Sequence, residues 1–262
     1  MDLQLDEKLA LVSGSTKGIG LAIATALAAE GCWVIVNGRT EAAVEAALAR
    51  IRAKVPEAKL EGFAADLAAP EGVEAVSARF PGVDILVNNL GIYERKPFEE
   101  IPDADWQRFF EVNVMSGVRL ARGYLPGMKS RGWGRIVFIS SESAIHIPAE
   151  MVHYGMTKTA QLAISRGIAE TCAGTNVTCN AVLPGPTRSD GLVAALTRRG
   201  DGRPMAEMEE QLIRVGRPSS LIRRLAEPEE VATMVAYVCS PLASATNGAA
   251  LRVEGGIVRA CF

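Results

Sequence analysis

Side chains suited to metal or disulfide chemistry are scarce in this sequence. Histidine occurs twice, at His146 and His153, among 262 residues. The cysteines are Cys32, Cys172, Cys179, Cys239 and Cys261; they form no CxxC pair and their number is odd. Both features argue against a metal centre or a disulfide framework, and a cytoplasmic location, where thiols stay reduced, is expected. No uninterrupted apolar run approaches the roughly 18 residues of a membrane-spanning helix, so no membrane association is expected. The opening MDLQLDEKLALVSG lacks the basic segment, apolar stretch and cleavage site of a signal peptide. There is no basic block either. The 28 Lys and Arg residues are scattered among 30 acids, for a net charge of −2, which argues against a nucleic-acid partner.

What is present is apolar and alternating. Hydrophobic residues make up 48% of the chain, enough for a large core, and the length is compatible with one domain spanning 1–262. Short apolar runs predict seven strands: Lys8–Ser13, Trp33–Val36, Lys59–Ala64, Ile85–Asn88, Arg135–Ser140, Val177–Leu183 and Ala250–Val253. Between them lie segments with helical spacing, such as Ile19–Glu30 and Glu41–Ala53. Strands separated by helices need crossovers, so the expected fold is α/β, a mostly parallel sheet with helices on both faces. The stretch Arg188–Arg224 is rich in Arg, Gly and Pro and reads as irregular, either a substrate flap or a surface excursion.

Between the first strand and first helix stands Gly14-Ser15-Thr16-Lys17-Gly18-Ile19-Gly20. Glycines permit a tight turn and close approach to a phosphate, and a helix start offers unpaired N–H groups to an anion. The spacing is GxxxGxG, not GxGxxG, but its place between strand and helix predicts a nucleotide site. At the end of the second strand an acid selects NAD(H) by holding the adenosine ribose; here Gly38 stands there, followed by Arg39. Arg39, with Lys17, is suited to a 2′-phosphate, so NADP(H) is expected over NAD(H). Further on, Tyr154 and Lys158 lie four apart in a predicted helix from Glu150 to Ala173, and so share a face. Phenol ionises near pH 10, and a neighbouring ammonium lowers that value.

In order and spacing these elements resemble the short-chain dehydrogenase/reductase family, with Asp66-Leu67, Asn88-Asn89-Leu90-Gly91, Asn113, Ser140-Ser141, Pro184-Gly185 and Val253–Gly256 as further markers. The resemblance spans about Leu5 to Gly256. It implies a single doubly wound, Rossmann-like domain and hydride transfer between NADP(H) and a carbonyl or secondary alcohol. Tyr154 is then the general acid or base, and Lys158 lowers its pKa and holds the nicotinamide ribose. Ser141, thirteen residues before Tyr154, bonds the substrate oxygen, and Asn113 anchors a water in the proton relay. Asp66 contacts adenine, with a helix cap as the compatible structural role, and Leu67 accompanies it. Asn89, Leu90 and Gly91 run beside the adenosine ribose; Leu90 replaces the family's usual alanine. Pro184, Gly185, Thr187 and Ser189 border the nicotinamide, Ser189 standing where threonine is usual, and Glu254 replaces a common aspartate.

The substrate wall is expected to include Tyr93, Ser143, His146, Met151 and His153, mainly apolar and suited to a medium-sized ketone or alcohol. A 3-oxoacyl thioester reductase and a non-catalytic NADP(H) sensor are the alternatives, and a lyase or epimerase on the same fold is a third. The resemblance also implies a homotetramer or homodimer, formed by the helical stretches Ala104–Met128 and Glu150–Ala173 and by the apolar end Ile257–Phe262.

Overall fold

The computed structural model describes residues 1–199 and 202–261. Gly200 and Asp201 of the expected flap, and Phe262 at the C-terminal end, lie outside the described residues. Seven strands form one parallel sheet: β1 (Leu9–Val12), β2 (Trp33–Gly38), β3 (Lys59–Ala64), β4 (Ile85–Asn88), β5 (Gly134–Ile139), β6 (Val177–Pro184) and β7 (Ala250–Val253). Their order is β3-β2-β1-β4-β5-β6-β7. The inner strands β4, β5 and β6 are buried along their whole length, as continuous apolar runs in a sheet covered on both sides should be.

The covering helices divide into two layers. On one face lie α1 (Gly18–Ala29), α2 (Glu41–Lys54) and α9 (Pro228–Cys239), burying Ile23, Leu27, Val44, Ile51, Val231 and Val235 in one cluster. On the other lie α3 (Pro70–Arg79), α5 (Ser116–Arg131) and α6 (Val152–Thr171), which supply Val76, Leu120, Tyr124 and Ala169 to a second. Burying such side chains stabilises the fold by about 1.5–3 kcal/mol each. Strand order reverses between β1 and β4, where the chain leaves one side of the sheet and returns on the other. A crevice opens at the carboxyl ends of the strands at such a switch point.

Three expectations change. The stretch expected as one helix over 104–128 is two, α4 (Asp103–Phe110) and α5, joined by a π turn at Glu111–Met115. The irregular stretch contains two helices, α7 (Asp190–Arg199) and α8 (Met205–Gly216). α8 buries Met208 and Ile213 on one side, while Arg188 pairs with Glu209 at 2.8 Å and Glu227 at 3.0 Å. Arg188 is thus a structural tie, which composition alone does not show. At the C-terminal end, Ile257 and Val258 are buried within the chain's own fold, and their N–H groups donate to the Glu254 carboxylate.

Candidate active site

The glycine loop leaves β1 and enters α1 with Gly14 and Gly18 at positive φ (61° and 57°), which favours glycine. A Cβ on Gly20 would lie 2.4 Å from Asn89 Nδ2 and 2.5 Å from the Gly14 carbonyl oxygen. Asn89 clamps this turn, its Nδ2 donating to the Ser13 and Gly14 carbonyls at 3.0 Å each. Ser15 is buried and donates to the Val12 carbonyl at 2.7 Å, so its side chain shapes the loop. The loop already holds an anion: the Gly18 N–H donates to the Asp190 carboxylate at 2.7 Å. A positive helix end is suited to this, and a diphosphate has the same requirements.

At the end of β2, a Cβ on Gly38 would meet Thr16 Cγ2 at 2.4 Å. Close packing leaves no room there for an acidic side chain, while Arg39, next in the chain, and Lys17, next to Thr16, are both exposed. Asp66 accepts from the Ala68 N–H at 3.0 Å and closes a turn; Ala69, not Asp66, is the N-cap of α3. The Leu67 side chain is buried in the core, so any binding role falls to its backbone. Leu90 packs against the same core cluster, and its Cδ1 would lie 3.3 Å from a Cβ on Gly14. Its backbone N–H remains anchored on the Ser13 hydroxyl at 3.1 Å.

A cavity of about 990 Å³ opens beside this loop. Its walls bring together Ile19, Asn89, Gly91, Ser141, Tyr154, Lys158, Pro184, Gly185, Thr187 and Ser189. Tyr93, Ser143, His146 and Met151 line it too. His153 does not: it is fully buried, its ring centre 4.1 Å from that of Phe109, and neither ring nitrogen has a hydrogen-bond partner among the described residues. One residue along a helix turns a side chain by about 100°. Facing Tyr154 into the cavity therefore turns His153 into the core, where burial lowers its pKa.

The elements that carry Ser141, Tyr154 and Lys158 are tied to one another through hydroxyls that donate to backbone carbonyls. Ser140 Oγ donates to the Lys158 carbonyl at 2.8 Å, and Thr159 Oγ1 to the Ala144 carbonyl at 2.8 Å, fastening α6 to the loop after β5. Both Ser140 and Ser141 border the cavity, but the Ser140 hydroxyl is committed to the Lys158 carbonyl, whereas Ser141 bonds with Tyr154. Burial pushes the Tyr154 phenol above its ordinary value, outweighing the opposing effect of a hydrogen bond with Ser141. Burial also pulls Lys158 down to about 7. Its Nζ lies 5.6 Å from the Tyr154 ring centre and donates to the Ile139 carbonyl at 2.8 Å and to Gln161 Oε1 at 3.3 Å. The expected ammonium-lowered phenol is thus not the balance in this structure, where both groups are held towards neutrality.

Asn113 sits on the π turn, a feature frequent at functional sites. Its side chain bonds the Ile92 backbone on both sides, at 2.8 and 2.9 Å, and reaches Thr157 Oγ1 at 3.0 Å. Its carbonyl accepts from Gln161 Nε2 at 2.6 Å, so Gln161 links Asn113 to Lys158. Gln161 and the ion pair of Glu142 with Arg217 were missed in the sequence. Only an acid directly after Ser141 and an amide one turn after Lys158 signalled them.

Comparison with known proteins agrees with this arrangement. A family model described as enoyl-(acyl carrier protein) reductase matches residues 14–258. The chain is 50% identical over 264 residues to an uncharacterised oxidoreductase of Bacillus subtilis, YvaG, with all of both chains covered. It is 34% identical to the 3-oxoacyl-[acyl-carrier-protein] reductase FabG of Aquifex aeolicus, covering 98% of this chain and 100% of that one. Among solved structures, L-sorbose reductase from Gluconobacter frateurii, complexed with NADPH and L-sorbose, superposes with a TM-score of 0.90 at 33% identity, covering 99% and 100% of the two chains. With a seven-stranded doubly wound sheet, a glycine loop and a Ser–Tyr–Lys wall at its switch point, the chain belongs to the short-chain dehydrogenase/reductase family of oxidoreductases.

Proposed function

We propose that this protein is an NADP(H)-dependent carbonyl reductase, acting in reverse as a secondary-alcohol dehydrogenase. The observation that carries the reading is the convergence of Ser141, Tyr154 and Lys158 on one cavity wall beside the glycine loop. When bound, a nicotinamide dinucleotide supplies the hydride. The residues fit such a group: the Gly18 N–H at the start of α1 already accommodates a carboxylate. The absence of an acid at the end of β2, with Lys17 and Arg39 beside it, supports NADP(H) over NAD(H). The NADPH in the L-sorbose reductase structure supports it as well.

Within the site, the Ser141 hydroxyl orients the substrate oxygen and the Tyr154 phenol delivers its proton to that oxygen. A neutral phenol is the form needed to donate, and burial keeps it so. Lys158, near its own midpoint at neutral pH, is suited to pass a proton on towards the phenol. Asn113 and Gln161 hold Lys158 and the π turn in register.

The test is a panel of ketones and alcohols run with NADPH and then NADH. Turnover with a higher kcat/KM for NADPH is expected; a preference for NADH overturns the cofactor assignment, and cofactor binding without any turnover favours a sensor. A second reading, a 3-oxoacyl thioester reductase, is supported by the likeness to the Aquifex aeolicus FabG and belongs in the same panel. A homotetramer or homodimer in the cytoplasm is the working form this reading implies, and sedimentation as a monomer contradicts that assembly.

A further inference from the structure

Glu142 is an acid in a place where an active site of this kind does not need one. It follows Ser141 directly, lines the cavity and is 3% exposed. Its Oε1 accepts from Arg217 Nε at 2.8 Å and forms an ion pair with Nη2 at the same distance, and Arg217 itself is 7% exposed. Arg217 caps the C-terminal end of α8 and also donates from Nη1 to the Gly216 carbonyl at 2.7 Å. The carboxylate is therefore fixed in place and neutralised on one oxygen. Among the described residues its other oxygen, Oε2, takes a single donor: the Ser141 hydroxyl, at 2.6 Å.

This sets a conflict. A serine hydroxyl has one proton. In the reading proposed above, on which this inference rests, Ser141 gives that proton to the substrate's carbonyl oxygen. While it does so it cannot serve Glu142. With a plain ketone the buried Oε2 is left without a donor, and a buried charged acceptor without a partner is costly. A substrate that brings its own donor to Oε2 resolves the conflict. Oε2 is 2.6 Å from Ser141 Oγ, so a carbonyl oxygen bonded to Ser141 lies within two hydrogen-bond lengths of Oε2, a span that a hydroxyl on the carbon adjacent to the carbonyl bridges. Arg217 already cancels the charge of Glu142, which favours a neutral hydroxyl over an ammonium. A carboxylate at that position would face Oε2 and be repelled.

We infer that Glu142, held by Arg217, is the specificity-determining residue of this site and selects α-hydroxy ketones. In the reaction the carbonyl carbon gains a hydride from the reduced nicotinamide and the carbonyl oxygen gains the Tyr154 proton. The carbon–oxygen double bond becomes single and the product is a vicinal diol. The adjacent hydroxyl donates to Glu142 Oε2 throughout and is unchanged. Sites built to bond a substrate hydroxyl reject the analogue that lacks it far more strongly than apolar pockets reject a missing methylene.

The experiment compares matched pairs with NADPH: hydroxyacetone against acetone, and acetoin against butanone, with pyruvate as the anionic arm. The wild-type kcat/KM is expected to favour the hydroxylated member by about tenfold to hundredfold. Pyruvate should be reduced least efficiently relative to its size. In Glu142→Gln the amide offers its own N–H to Ser141 Oγ and releases the serine proton, so the ratio within each pair falls towards one. A merely structural role would lower both members together and leave the ratio unchanged. Equal efficiency for both members in the wild type overturns the inference without any variant, while leaving carbonyl reduction standing. No turnover of any carbonyl, hydroxylated or plain, overturns both.

Discussion

Asp190 occupies the place where the proposed cofactor's diphosphate would bind, and replacing it should move two measurements in opposite senses. Its carboxylate accepts the Gly18 N–H at 2.7 Å, at the positive end of α1. An anion at such a helix end contributes about 0.3–1 kcal/mol when exposed at the surface. Asp190→Asn keeps the shape and removes the charge. The cofactor-free protein should lose that contribution, a fall in Tm of about 1–3 °C for a domain of this size. NADPH, no longer displacing a bound carboxylate, should bind about two- to fivefold more tightly, the same energy expressed as a ratio of dissociation constants. Thermal melts without cofactor and a fluorescence titration with NADPH read the two effects. Both should shrink in high salt, because the groups are exposed and screened. Weaker NADPH binding with an unchanged Tm would refute the reasoning, because Asp190 would then assist the cofactor and not compete with it.

Tyr154→Phe should lower kcat by about 10²–10⁴-fold while leaving the NADPH dissociation constant unchanged; wild-type rates in that variant remove the phenol from the mechanism. Lys158 is pulled from 10.5 to about 7 by burial, so between those values the unfolded chain holds a proton that the folded one does not. The resulting destabilisation is complete below pH about 7 and disappears towards 10.5. Lys158→Met should therefore raise the Tm of the cofactor-free protein at neutral pH, with the gain fading on the alkaline side, and a gain independent of pH would count against the burial argument. Gly20→Ala must break the Asn89 clamp, since its methyl would lie 2.4 Å from Asn89 Nδ2. A loss of about 1–3 kcal/mol in denaturant unfolding is expected, and a neutral result would show that the loop yields easily.

The strands and the Ser141–Tyr154–Lys158 wall are legible in the sequence for different reasons. Runs such as Ile85–Asn88 and Val177–Pro184 are apolar throughout because both faces of the sheet are covered, and burial of that kind is written locally. Tyr154 and Lys158 share a helix face, so their spacing alone places them together. What was not legible depends on partners far along the chain. Glu142 is an ordinary acid until Arg217, just past the end of α8, closes on it across 75 residues. Arg188 suggested an irregular segment until Glu209 and Glu227 paired with it. His153 was assigned to the wrong wall because periodicity marks a helix before it fixes which side faces the cavity. The expected effect of Lys158 on Tyr154 gave way to desolvation, which depends on the finished packing.

The widened turn at Glu111–Met115 makes chain length itself a functional quantity. Such a turn carries one residue more than an α-helical turn, and a single deletion there would restore regular winding. The helices on either side would keep their facing, but the bulge that aims Asn113 would be gone. Asn113 would lose Ile92 and Thr157 together, and the Gln161 link to Lys158 would lose its far end. Substitutions in this segment can be absorbed one side chain at a time, but a change in residue count cannot, so insertions and deletions should be excluded here even where the residue types vary.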